Sequence, residues 1–99
     1  MKITVLQEKE TSVLEIEGRV DTVTAAELES AVKQYISMGA SVVFECEKLE
    51  YISSAGLRVV LMAHKSIVAN GGRFVIRNLS KEVRSVFDMI GFSNILAIE

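Results

Sequence analysis

Hydrophobic and polar positions change period several times along the chain, and each change marks an element. Residues 2–8 and 12–18 alternate as strands do, with Leu14 and Ile16 on one side and Glu15 and Glu17 on the other. Glu10-Thr11-Ser12 reads as a short polar turn, so the two runs form a hairpin. Gly18 breaks the alternation, and Arg19 to Val23 is expected to be a loop. Leu28, Ala31, Val32, Tyr35 and Ile36 then recur at helical spacing, the stripe of an amphipathic helix. Thr24 and Glu27 make a capping box at its start, and Gly39 is its natural stop.

Residues 41–47 form the next strand, carrying the apolar run Val42-Val43-Phe44, and Lys48-Leu49-Glu50 leads into a turn at Ser53 and Ser54. A helix from about Ser54 to Asn70-Gly71-Gly72 follows, with Leu57, Val60, Leu61, His64, Ile67 and Val68 on its buried side. Ala55, Val59, Met62 and Ser66 fall on the other side, where either a partner or another element of the chain covers them. Arg73 to Arg77 is a strand with Phe74 and Ile76 on one face and Val75 on the other. Asn78-Leu79-Ser80 starts a last helix striped by Val83, Val86, Phe87 and Ile90, which Gly91 ends before a strand over Asn94–Ile98. The order β-β-α-β-α-β-α-β predicts a single α/β domain spanning 1–99. Its sheet is mixed, with an antiparallel hairpin and right-handed parallel crossovers.

Composition narrows the function classes. Among 99 residues, 13 acids against 11 bases give a net charge of −2, which supplies no basic face for nucleic acid. No apolar run approaches the ~20 residues of a membrane span, and the strand-like amino terminus lacks a signal peptide's longer apolar stretch. A cytoplasmic location without membrane insertion is the expectation. Cys46 is the single cysteine and shares a strand face with Phe44, so a buried, inert thiol is expected. His64 is the single histidine and sits on the apolar side of its helix; with one Cys and one His no structural zinc site is expected.

The turn Ser53-Ser54-Ala55-Gly56-Leu57-Arg58 lacks the spaced glycines and Lys-Ser/Thr pair of a phosphate-binding loop, and no dinucleotide fingerprint occurs. Ile52 stands where a serine-hydrolase elbow needs glycine. Glu45, Glu47 and Glu50 read as solvated strand-face and turn residues rather than a catalytic pair. Neither an enzyme nor a cofactor is expected. What the turn does offer is a hydroxyl beside the unpaired N–H groups and positive dipole end of a helix.

Gly18-Arg-Val-Asp21-Thr-Val-Thr24, Val42-Val-Phe-Glu-Cys46, Tyr51-Ile-Ser-Ser-Ala-Gly-Leu-Arg58 and Asn70-Gly-Gly72 together resemble the STAS domain, specifically the bacterial anti-sigma factor antagonists. The resemblance covers essentially the whole chain. It implies a four- to five-stranded mixed sheet with helices mainly on one face. It also implies a partner, an anti-sigma factor that is a serine kinase of the histidine-kinase-like ATPase type, and a serine phosphatase. In that family the antagonist frees the sigma factor until the kinase phosphorylates a serine at the start of the second helix. Matched by position, the acceptor is Ser54, less readily Ser53, which stands where the family commonly has aspartate. Asp21 matches an aspartate of the neighbouring loop. Asp21, Thr22, Ser53, Ser54, Ala55, Arg58, Val59 and Met62 are then the expected partner-binding residues. Two other readings fit a STAS domain: a constitutive scaffold subunit of a membrane lipid transporter, and a nucleotide-sensing module.

Overall fold

In the computed structural model, which describes residues 1–99, the expected alternation is present with one strand more. β1 (Lys2–Glu8) and β2 (Thr11–Val20) form the antiparallel hairpin, Glu8 lying opposite Thr11. Its turn is tighter than expected. Only Lys9 and Glu10 lie between the strands, and Lys9 takes a φ of 60° to close the two-residue connection. Thr11 and Ser12 therefore belong to β2.

β2 also runs past Gly18 to Val20, so Arg19 and Val20 are strand rather than loop. Its first half, Thr11 to Glu15, pairs in parallel with β3 (Ser41–Glu45), while Gly18 to Val20 pair in parallel with β4 (Leu49–Ile52). β2 exchanges β3 for β4 between Glu15 and Gly18, and the new ladder shifts register between Gly18 and Arg19. β4 is invisible to periodicity. Leu49 and Ile52 are buried with Glu50 and Tyr51 exposed between them, which is not an alternation. It forms because β3 stops at Glu45 and leaves the far half of β2 without a neighbour. Cys46 and Glu47 consequently sit in a turn, although Cys46 still points into the core. Burial pushes its thiol up to about 12, with the Glu45 charge adding to the effect, so the sulfur stays protonated and inert.

The remaining elements are α1 (Ala25–Lys33), α2 (Ser54–Ala69), β5 (Arg73–Arg77), α3 (Lys81–Met89) and β6 (Ala97–Ile98). Strand order is β1-β2-β3-β5-β6, with β4 beside β2. Leu14, Ile16, Phe44, Phe74 and Ile76 from the sheet join Leu28, Val60, Ile67 and Phe87 from the helices in one core. Phe44 and Phe74 meet edge to face, 4.9 Å between centroids. Val13, Val43 and Val75 form a separate small cluster on the opposite face of the sheet, as Val75's place in the alternation predicts.

Three helix details differ from the sequence pattern. α1 ends at Lys33, so Tyr35 and Ile36 pack on the core from the turn that follows. At the other end, Phe92–Asn94 is a 3₁₀ turn, which reduces the expected last strand to Ala97 and Ile98. In α2 the buried side runs through Gly56, Leu57, Val59, Val60, Ala63 and Ile67: Leu57, Val60 and Ile67 are buried as expected, but the centre of the stripe is turned by about a fifth of a turn. Leu61 and His64 are half-buried and Val68 is 52% exposed. The rotation follows from packing: α2 lies on the sheet with α1 against one flank, so the flank carrying Val59 is covered as well.

Glu45 is more than a solvated strand-face residue. Its carboxylate accepts from Arg77 Nε at 3.0 Å, from Asn78 Nδ2 at 3.1 Å and from the Glu47 N–H at 3.2 Å, and its side chain is 12% exposed. Burial alone would raise its pKa, but the bonds from Arg77, Asn78 and Glu47 outweigh burial and hold it below the usual carboxylate range. A lowered folded-state pKa gives stability that is full above the unfolded value of ~4.3 and lost as pH falls through the folded value. Glu45→Gln is therefore expected to cost about 1 kcal/mol at pH 7. The gap in thermal midpoint between wild type and Glu45→Gln should begin to narrow as pH falls below the unfolded value of ~4.3 and close once the folded carboxylate is protonated. A gap unchanged in acid would show that charge is not what Glu45 contributes.

Candidate functional site

β2 and β4 run parallel and finish side by side, Val20 opposite Ile52. The Ser53 N–H donates to the Val20 carbonyl at 2.8 Å, so the turns into α1 and α2 leave the same end of the sheet. Crevices at such carboxyl-terminal strand ends are where open α/β sheets bind their ligands.

Each turn has its own cap. Ser53 is extended (φ −83°, ψ 172°), and its Oγ accepts from the Gly56 N–H at 3.2 Å. Ser54 is the first helical residue; it is exposed and outside that capping bond. Leu57 N–H pairs with the Ser53 carbonyl, which leaves the Ser54 and Ala55 N–H groups at the positive end of the α2 dipole. No acidic residue occupies the first turn, and exposed Arg58 lies one turn on from Ser54. The helix can sit this close to the strands because of Gly56. A Cβ there would lie 2.6 Å from Ile52 Cγ1 and 2.7 Å from Val20 Cγ1, both in buried side chains.

At the head of α1 the expected capping box is displaced. Thr24 is already in helical backbone and makes no cap bond to the helix. Asp21 does that work three residues earlier: its Oδ1 accepts from the Val23 N–H at 3.0 Å and the Thr24 N–H at 2.9 Å, while the Asp21 N–H donates to Thr24 Oγ1 at 2.8 Å. The Thr24 N–H and hydroxyl hold the Asp21 carboxyl below its usual range; slight burial opposes them, and the Val23 N–H and the Arg19 charge add to them. Asp21 is thus an ionised, fixed carboxylate at the rim.

Between the two helices lies an open groove of about 480 Å³. Thr22, Ala25, Ala26 and Glu29 form one side, and Ala55, Arg58, Val59 and Met62 the other. Five of the eight expected residues line it, while Asp21, Ser53 and Ser54 stand in the two turns at its head. Val59 is only 6% exposed and forms the floor rather than a projecting contact; Met62 is half-buried.

The STAS domain family model matches residues 2–99. This chain belongs to the STAS domain family. BtrV of Bordetella bronchiseptica, to which the role of anti-sigma factor antagonist is ascribed, is 37% identical over 84 residues, 84% of this chain and 72% of BtrV. A Thermotoga maritima crystal structure with the same ascribed role superposes with a TM-score of 0.90 at 19% identity, over 97% of this chain and 84% of that one. The Bacillus cell fate determinant SpoIIAA in its phosphorylated form gives 0.76 at 23% identity, over 99% and 91%. At these identities the two structures establish the shared fold.

In this STAS domain the α1 wall of the groove was not among the residues singled out from sequence. Ala25, Ala26 and Glu29 follow Thr22 at helical spacing (three, four and seven residues on), which was the available signal. The sequence also gave no reason to join Arg19 to Tyr51. The unseen β4 brings them opposite each other, with the Arg19 Cζ 4.2 Å from the Tyr51 ring centroid.

Proposed function

We propose that this STAS domain is an anti-sigma factor antagonist whose partner binding is switched off by phosphorylation of Ser54. One observation carries the reading: of two adjacent serines, Ser53 is committed to the helix cap, while Ser54 presents an exposed hydroxyl at the head of the α1–α2 groove. The names borne by its relatives point the same way, and SpoIIAA has been solved both unphosphorylated and phosphorylated.

In the unmodified state the groove and its rim receive the anti-sigma factor, which thereby releases its sigma factor. That partner is also the kinase. The γ-phosphoryl of its ATP is transferred to Ser54 Oγ, the bond to the β-phosphate breaks, ADP departs, and a base of the kinase takes the hydroxyl proton. Phosphate brings roughly −1.5 to −2 charges to residue 54. Within the chain that charge meets the Ser54 and Ala55 N–H groups and the α2 dipole, so the fold is undisturbed. The partner has no such compensation and must separate. A serine phosphatase resets the cycle, and the whole exchange is cytoplasmic.

The test is a release assay in which the chain is titrated into a preformed complex of sigma factor and anti-sigma factor. Free sigma factor should appear as the chain is added; an intact complex at large excess of the chain would overturn the reading.

A further inference from the structure

We propose that Arg19, held flat against Tyr51, is a specificity residue that takes a carboxylate of the anti-sigma factor on the far side of the rim from the groove. The inference rests on the functional reading above and extends its contact surface. Arg19 and Tyr51 face each other across β2 and β4, at the point where the register shift re-aims β2. Val20 and Ile52 beside them are buried, so by strand alternation the Arg19–Tyr51 pair projects from the opposite side of the two strands, where Tyr51 also borders a shallow hollow with Glu82, Val83 and Val86 of α3.

The stack holds one face of the guanidinium and leaves its N–H edge for another group. Arg19 is exposed, Tyr51 is 40% exposed, and none of the chain's three salt bridges involves Arg19. Two acids lie two residues from Arg19, Glu17 within β2 and Asp21 just after it; neither forms a salt bridge with Arg19, and Asp21 is engaged with the Val23 and Thr24 N–H groups. An ordered arginine with an unused planar fork is suited to a carboxylate, which it grips through two parallel bonds. Buried Arg and Tyr anchors are also what dominate partner affinity at protein interfaces. Position places this contact at the switch: Arg19 precedes Asp21 by two residues, and Tyr51 precedes Ser54 by three.

The experiment is calorimetric titration of the purified anti-sigma factor kinase of the same genome with wild type, Arg19→Glu, Arg19→Lys and Tyr51→Leu. All chains carry an unmodified Ser54, and their thermal midpoints are measured in parallel. Arg19→Glu should weaken binding on the order of 30-fold or more, because a buried charge contact becomes a repulsion. Arg19→Lys should lose less, and Tyr51→Leu should lie between Arg19→Lys and Arg19→Glu, since it frees the guanidinium without reversing it. The thermal midpoint of Arg19→Glu should stay near that of wild type. Equal affinity of wild type and Arg19→Glu would overturn the role of Arg19 and leave the antagonist reading standing. Failure of wild type itself to bind would overturn both.

Discussion

A Ser54→Asp chain should be roughly 100- to 1000-fold less effective than wild type at displacing the sigma factor, the consequence of losing about 3–4 kcal/mol of partner affinity. The loss comes from placing a carboxylate on a surface fitted to a neutral hydroxyl, where the partner must bury or repel it. The variant's own fold should not suffer. An acid in the first turn of α2, which has none, faces the positive end of the helix dipole and gains a few tenths of a kcal/mol. Reduced release together with an unchanged or slightly raised melting temperature separates an interface effect from unfolding. Release as efficient as wild type would instead favour a constitutive scaffold, for which charge at residue 54 is immaterial.

The second large effect is structural. Gly72→Ala should lower stability by roughly 2–4 kcal/mol, since overpacking here meets backbone rather than a movable side chain. A Cβ on Gly72 would stand 2.3 Å from the Ala40 carbonyl oxygen and 3.0 Å from that of Ile67. Both carbonyls are held. The Gly72 N–H donates to Ile67 O at 2.8 Å as α2 closes, and the Arg73 N–H donates to Ala40 O at 2.8 Å as β5 starts. Gly72 lies outside the helix, so no gain in helix propensity offsets the clash. For a chain of this length the thermal midpoint should fall by roughly 10–25 °C. A shift of only a few degrees would mean that the junction of α2 with the start of β3 yields more easily than its hydrogen bonds imply.

Local signals in the sequence were reliable wherever one element decides its own structure. The hairpin, the three helices and the Asn70-Gly71-Gly72 stop follow from alternation, helical spacing and terminators, and Ser53–Ser54 falls at the helix start as expected. What sequence could not convey depends on partners distant in the chain. β4 exists because β2 outlasts β3, and Val59 is buried because α1 lies against that flank of α2. The same holds for Glu45, whose partners Arg77 and Asn78 are more than thirty residues away. At the site, the placement of Ser53 and Ser54 at the head of α2 was legible from motif spacing. The division of labour between the two serines was not. It emerges from a single hydrogen bond, Gly56 N–H to Ser53 Oγ, that ties up one hydroxyl and leaves its neighbour exposed.

That division is tested most directly by mapping phosphate after incubation with the anti-sigma factor kinase and ATP. Wild type and Ser53→Ala should each acquire one phosphate, on residue 54, and Ser54→Ala should acquire none. Phosphate incorporated into Ser54→Ala as fully as into wild type would contradict the account.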